Sequence, residues 1–92
     1  MYKNLDPLLH APLRLAIVSY LMTHSKVSFK VLKEITEASS GNLSVQLKKL
    51  EEANYLRMEK SFFENYPLTQ VTLTQKGIAA FENYVQNLKK YL

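Results

Sequence analysis

The sequence predicts a mainly α fold carrying one small β-hairpin, an α+β class, on three observations. Apolar residues recur at helical spacing in four stretches of the chain. One region, residues 55–60 with its partner run at 70–73, instead alternates along the chain as half-buried strands do. Two glycines and three prolines in 92 residues leave few turns to join these elements. That length suits a single domain, residues 1–92, because two domains would each bury too little surface to fold alone.

The first elements are set by proline. Asp6-Pro7 reads as an N-cap followed by proline at the first helical position, giving a short turn through Leu8 and Leu9. Pro12 pushes Ala11 toward an extended backbone and starts a helix expected to reach about Thr23. This helix carries Leu13, Leu15, Ala16, Ile17, Val18, Tyr20, Leu21 and Met22, and so is apolar on nearly every side. Such a helix needs cover from more than one neighbour, and a second subunit is one source of it.

After a polar connection, residues 23–26, Val27 is placed to pair briefly as a strand. Ser28 is positioned to cap a helix with Phe29, Leu32 and Ile35 at i, i+3 and i+6. A short connector, Ala38-Ser39-Ser40, leads to a third helix over residues 40–53 with Leu43, Leu47 and Leu50 along one side, and Asn54 suits the left-handed position after it. The strand-like runs follow, with Glu64-Asn65-Tyr66-Pro67 between them as the irregular tip of a hairpin spanning residues 55–74. Thr74 is placed to cap a final helix, residues 75–92. Its apolar positions Ile78, Phe81, Val85, Leu88 and Leu92 step by 3, 4, 3 and 4 as a coiled-coil seam does.

Two short helices joined by a tight connector and followed by a hairpin make a winged helix-turn-helix, here with a C-terminal dimerisation helix. In that arrangement the second helix of the pair enters the major groove and the hairpin lies against the flanking backbone. A wheel drawn for the third helix sets Leu43, Leu47 and Leu50 on one side. Gly41, Val45, Lys48 and Lys49 face away from them, with Asn42 and Gln46 on one flank and Ser44 on the other. Asn and Gln both donate and accept, as the adenine edge requires, and Val45 suits a thymine methyl. Lys48, Lys49 and Lys60 suit phosphates, and Ser39 and Ser40 stand where helix N-terminal amides meet one. Any exposed helix face is also rich in Ser, Asn, Gln and Lys, so the order of elements carries the inference more than this composition does.

Three segments carry a family resemblance. They are Leu5-Asp6-Pro7-Leu8-Leu9-His10-Ala11-Pro12-Leu13-Arg14-Leu15-Ala16-Ile17, Gly41-Asn42-Leu43-Ser44-Val45-Gln46-Leu47-Lys48-Lys49-Leu50-Glu51-Glu52-Ala53, and Leu73-Thr74-Gln75-Lys76-Gly77. In this order and spacing the chain resembles the small winged-helix transcriptional regulators of the MarR/ArsR-like superfamily. The resemblance implies a homodimer on a roughly two-fold symmetric operator, with the interface on the first and last helices. Leu9, Leu13, Ile17, Phe81, Val85, Leu88 and Leu92 are its expected residues. Wings in that family usually carry several basic residues near the tip; here Phe62-Phe63-Glu64-Asn65-Tyr66-Pro67 stands there, behind Arg57 and Lys60. The resemblance also has arginine at the position of Arg14, which inside an apolar helix needs a carboxylate or carbonyl partner; an ion pair is the expected one.

The composition narrows the function further. At 47% hydrophobic and 22% charged residues the chain is that of a folded domain, not a disordered tail. The absence of cysteine excludes disulfides, thiolate zinc sites and thiol redox sensing. His10 and His24 have no ligand cluster beside them, so neither a metal nor another cofactor is expected. Catalysis is not expected either, for want of a nucleophile–base pair or a phosphate-cradling glycine loop; both glycines are read as serving turns and helix starts. The start of the chain is unlike a signal peptide, and the apolar stretch 13–22 is broken by Arg14 and Ser19 and too short to span a bilayer. A cytoplasmic protein is expected, with no membrane partner. The net charge of +4 is not polarised, since residues 1–46 and 47–92 each carry +2.

The expected function is therefore a sequence-specific, double-stranded-DNA-binding transcriptional regulator acting as a homodimer. The alternative is a winged helix reused as a protein–protein interaction module, suggested by the acidic and aromatic wing tip. No effector is defined by the sequence. Tyr20, Tyr84 and Tyr91 could line a ligand site at a dimer interface, but packing is their expected role.

Overall fold

A computed structural model of the chain describes residues 5–92. The first four residues, on which part of the signal-peptide reading rests, lie outside them. Seven elements follow in order: α1 (Pro12–Thr23), β1 (Val27–Ser28), α2 (Phe29–Thr36), α3 (Ser40–Glu52), β2 (Leu56–Phe63), β3 (Tyr66–Leu73) and α4 (Gln75–Lys89).

Local chemistry fixes most of the boundaries. Asp6 holds the turn ahead of α1: its Oδ1 accepts from the Leu8 amide at 2.9 Å, and its carbonyl accepts from the amides of Leu9 and His10. Ala11 is extended and Pro12 opens α1 behind it. The hydroxyls of Ser28, Ser39 and Thr74 accept from the amides of Val31, Asn42 and Gly77, capping α2, α3 and α4. Glu37 (φ 58°) and Asn54 (φ 63°) adopt the left-handed backbone that ends α2 and α3.

α1 touches α2, α3, α4 and β3, and its Ile17, Val18 and Leu21 are buried. Leu9, Val27, Leu32, Leu43, Leu47, Leu50, Leu56, Val71, Leu73 and Tyr84 form one core with them. The antiparallel sheet has the order β1-β3-β2, with Val27 opposite Val71 and Leu56 opposite Leu73. Its inner face carries Leu56, Met58, Val71 and Leu73; Thr72, one residue out of that phase, leaves a buried hydroxyl without a partner.

The structure corrects the sequence in several places. The hairpin tip is not irregular. Glu64 and Asn65 have φ of 50° and 68°, the two-residue loop whose twist matches the strands, and Tyr66 and Pro67 belong to β3 opposite Phe63 and Phe62. Pro67 is tolerated because β1 pairs with β3 only at residues 70 and 71, so the edge beside Pro67 is open. Ile35 is exposed, since at about 100° per residue it is turned roughly 120° around α2 from Phe29. The final helix stops at Lys89, so Leu92 lies beyond it and is 96% exposed. The seam is also displaced: α4 buries Gly77 and Tyr84, while Ile78, Phe81, Val85 and Leu88 are half-buried beside them.

Neither glycine serves a turn. Gly77 lies inside α4, where a methyl would stand 2.0 Å from the Tyr55 carbonyl oxygen, the acceptor of the Thr74 amide. Only glycine lets α4 start so close to the α3–β2 junction. Gly41 lies in the first turn of α3 with open space around it.

Candidate nucleic-acid interface

α3 is amphipathic in the way the third-helix pattern predicts. Leu43, Leu47 and Leu50 are fully buried, and Ser40, Gly41, Asn42, Ser44, Val45, Lys48 and Lys49 are exposed. Thirteen residues give a cylinder about 20 Å long, presented on one side to solvent. The connector from α2 is short because Glu37 reverses the chain and Ser39 restarts it, which holds α3 at a fixed angle to α2.

Between α3 and the hairpin runs an open groove of about 510 Å³. Ser44, Lys48 and Glu51 line it from α3, Met58 and Lys60 from β2, Thr69 from β3, and Phe29 and Leu47 form its floor. Ser44, Lys48 and Lys60 are therefore brought together on one groove from two elements far apart in sequence. Lys49 is exposed on the helix but does not line the groove. Ser40 is exposed at the start of α3, and the hydroxyl of Ser39 is engaged in the cap on the Asn42 amide.

Gln46 stands apart from the other outward residues. It is half-buried, and its Oε1 accepts from Arg14 Nη1 at 2.6 Å while its Nε2 donates to Asn42 Oδ1 at 3.0 Å. Gln46 is thus held back at the base of the face by both ends of its amide. Arg14 also donates through Nε to the Leu8 carbonyl at 2.7 Å. The expected ion pair for Arg14 is absent; a backbone carbonyl and a side-chain amide satisfy it, because no carboxylate lies on the facing side of α3. The one salt bridge among the described residues joins Lys26 to Glu59 at 3.7 Å across two exposed side chains.

The wing tip carries Phe62, Phe63 and Tyr66 at 65–76% exposure, so these aromatics do not pack on the body. Arg57 is exposed on β2. Of the residues expected at a dimer interface, Leu9 and Ile17 are corrected outright: both have no exposed surface, filling the core beneath α1, and offer nothing to a second copy. Leu13, Phe81, Val85 and Leu88 are half-buried. Met22, Phe81 and Val85, with Glu82 and Gln86, line a shallow depression of about 430 Å³ on the α1–α4 side.

Two further ties escaped sequence reasoning. Tyr55 donates to Asp6 Oδ2 at 2.5 Å, and burial, then that hydrogen bond and the carboxylate charge, push the phenol up to about 12. His10 Nδ1 lies 2.9 Å from the hydroxyl of buried Tyr84, joining the entry to α1 with α4. Each links residues some fifty or seventy positions apart, and local pattern carries no signal for such pairs. No group of three or more His, Asp or Glu able to hold a metal occurs among the described residues, and none of their helices is long and apolar enough to cross a membrane.

A helix-turn-helix whose second helix turns an exposed polar face to solvent beside a hairpin wing is a winged-helix domain. A family model described as a winged helix DNA-binding domain matches residues 13–92, and the chain belongs to that family. It is 35% identical over 75 residues to an uncharacterized protein of Methanocaldococcus jannaschii, covering 82% of each. Among solved structures it is similar to a transcriptional regulator homologue from Pyrococcus horikoshii, with a TM-score of 0.85 and 25% identity over 91% of this chain and 83% of that one. It shares its fold with a MarR-family regulator from Silicibacter pomeroyi (TM-score 0.73, 17% identity, 90% and 55% coverage). A MarR mutant from E. coli solved with operator DNA is similar in fold too (0.72, 18%, 85% and 54%). The chain spans about half the length of these last two.

Proposed function

We propose that the protein is a transcriptional regulator that binds double-stranded DNA sequence-specifically as a homodimer, with α3 in the major groove. The convergence of Ser44 and Lys48 of α3 with Lys60 of the wing on one groove carries this reading. A phosphate strand running between helix and wing would meet both lysines, while Asn42 and Val45 at the helix surface meet base edges. The DNA-bound MarR structure of the same fold supports the partner, and the similarity to a transcriptional regulator homologue supports the role. A homodimer is supported by the half-buried apolar stripe of Phe81, Val85 and Met22 on the α1–α4 side. A DNA-bound regulator of this kind acts in the cytoplasm.

Fluorescence titration of labelled genomic duplexes tests it. Binding is expected to weaken as salt rises, and Lys48→Ala to lower affinity across all sequences while reducing the salt slope by about one per protomer. Wild-type affinity retained by Lys48→Ala and Lys60→Ala together would remove the groove from the interface. A second reading, a protein-interaction module, is favoured by one observation, the exposed Phe62, Phe63 and Tyr66 around Glu64. It predicts no salt-dependent DNA binding at all.

A further inference from the structure

Arg14, Gln46 and Asn42 form a chain of hydrogen bonds whose polarity is chemically forced. A guanidinium has donors only, so the Gln46 atom facing Arg14 Nη1 at 2.6 Å is its oxygen. The Gln46 nitrogen therefore faces Asn42, and because an amide nitrogen donates, the Asn42 atom it meets at 3.0 Å is Oδ1. The amide nitrogen of Asn42 is left as the unengaged end of the relay, with no partner among the described residues. Arg14 is itself fixed by the Leu8 carbonyl at 2.7 Å, so the polarity is anchored in α1 and not at the helix surface. Asn42 is exposed in the first turn of α3, and Gly41 beside it carries no side chain, leaving open space for a base pair to approach.

Resting on the DNA-binding reading above, we propose that Arg14 is a positioning residue that makes Asn42 a hydrogen-bond donor toward the major groove. A free asparagine pairs with adenine through its oxygen and nitrogen together. With its oxygen turned back toward Gln46, Asn42 turns its N–H groups outward. Guanine, with acceptors at both N7 and O6, satisfies them best; adenine N7 and thymine O4 offer one acceptor each, and cytosine, which offers only its N4 donor, is rejected. This revises the adenine contact expected from residue type: Gln46 is not a base reader, and Asn42 reads an acceptor edge.

Selection of bound duplexes from a randomised library, run on the wild type and three variants, tests the proposal. The position read by Asn42 is the one at which Asn42→Ala loses its base preference. Wild type is expected to enrich guanine there by about tenfold over cytosine, and Arg14→Lys, which keeps a donor, to preserve that preference. Gln46→Glu keeps the shape and accepts from Arg14 but cannot donate, so Asn42 must reverse and turn its oxygen outward. The preferred base then shifts to adenine or cytosine at that position and at no other in the half-site. Gln46→Glu retaining guanine would overturn the proposal, as would a wild type that enriches cytosine or prefers adenine over guanine, or no position altered by Asn42→Ala. A wild type that enriches no sequence would instead remove the DNA-binding reading, and the proposal with it.

Discussion

Two residues where α4 meets the α3–β2 junction show how much depends on single groups. Gly77 lets the first turn of α4 close on the Tyr55 carbonyl, and Gly77→Ala places a methyl 2.0 Å from that oxygen. Neither partner is a flexible side chain, so the helix start or the junction must move. We expect a loss of about 3 kcal/mol in a urea titration followed by circular dichroism. Tyr55 itself makes stability depend on alkaline pH. Its phenol titrates near 12 in the folded chain and at about 10 when unfolded, so the unfolded state gives up its proton first. Stability is full below about pH 10 and falls as pH rises from there toward 12. Tyr55→Phe is expected to flatten that decline in thermal melts taken at successive pH values.

At the scale of elements, the wing joins regular backbone to an unfavourable turn composition. Its two-residue loop demands positive φ at both positions, which Asn and Gly adopt readily and Glu does not. Glu64→Asn is therefore expected to raise stability by up to about 1 kcal/mol by relieving the left-handed glutamate. The same change removes a negative charge from the wing tip. If the wing lies against DNA, affinity rises modestly at low salt; unchanged affinity in the same titration would place the tip away from phosphates. α3 was readable from sequence because its leucine spacing and asparagine terminator agree; the cap by Ser39, read there as part of the connector, is seen only in the structure. The wing's register was not, because Asn65 and Pro67 are turn formers by type and enclose Tyr66, yet strand pairing with Phe63 and Phe62 places Tyr66 and Pro67 in β3.

At the scale of the whole molecule, the open question is how the apolar helices are shared between one chain and two. Leu9 and Ile17 answer for the monomer, being wholly enclosed. Phe81 and Val85 remain half-buried beside Met22, and a dimer would cover them. Sedimentation equilibrium is expected to give twice the chain mass at micromolar concentration, and Phe81→Glu to give the monomer with the fold intact by circular dichroism. A wild-type monomer would place dimerisation elsewhere or require DNA for it.

The sequence by itself determined the order of elements, the caps of α2 and α4, the leucine face of α3 and the cationic groups available to a polyanion. These follow from interactions within a few residues, where side-chain periodicity and capping chemistry act. Only the tertiary structure decided which apolar positions of α1 face inward, because a helix that is apolar all round carries no phase of its own. It also decided the fate of Gln46. By residue type Gln46 is a base reader; held by Arg14 from another helix, it becomes a fixed strut behind Asn42. A hydrogen bond between residues 32 positions apart leaves no trace in local pattern, and here it sets which end of an asparagine amide is offered to a partner.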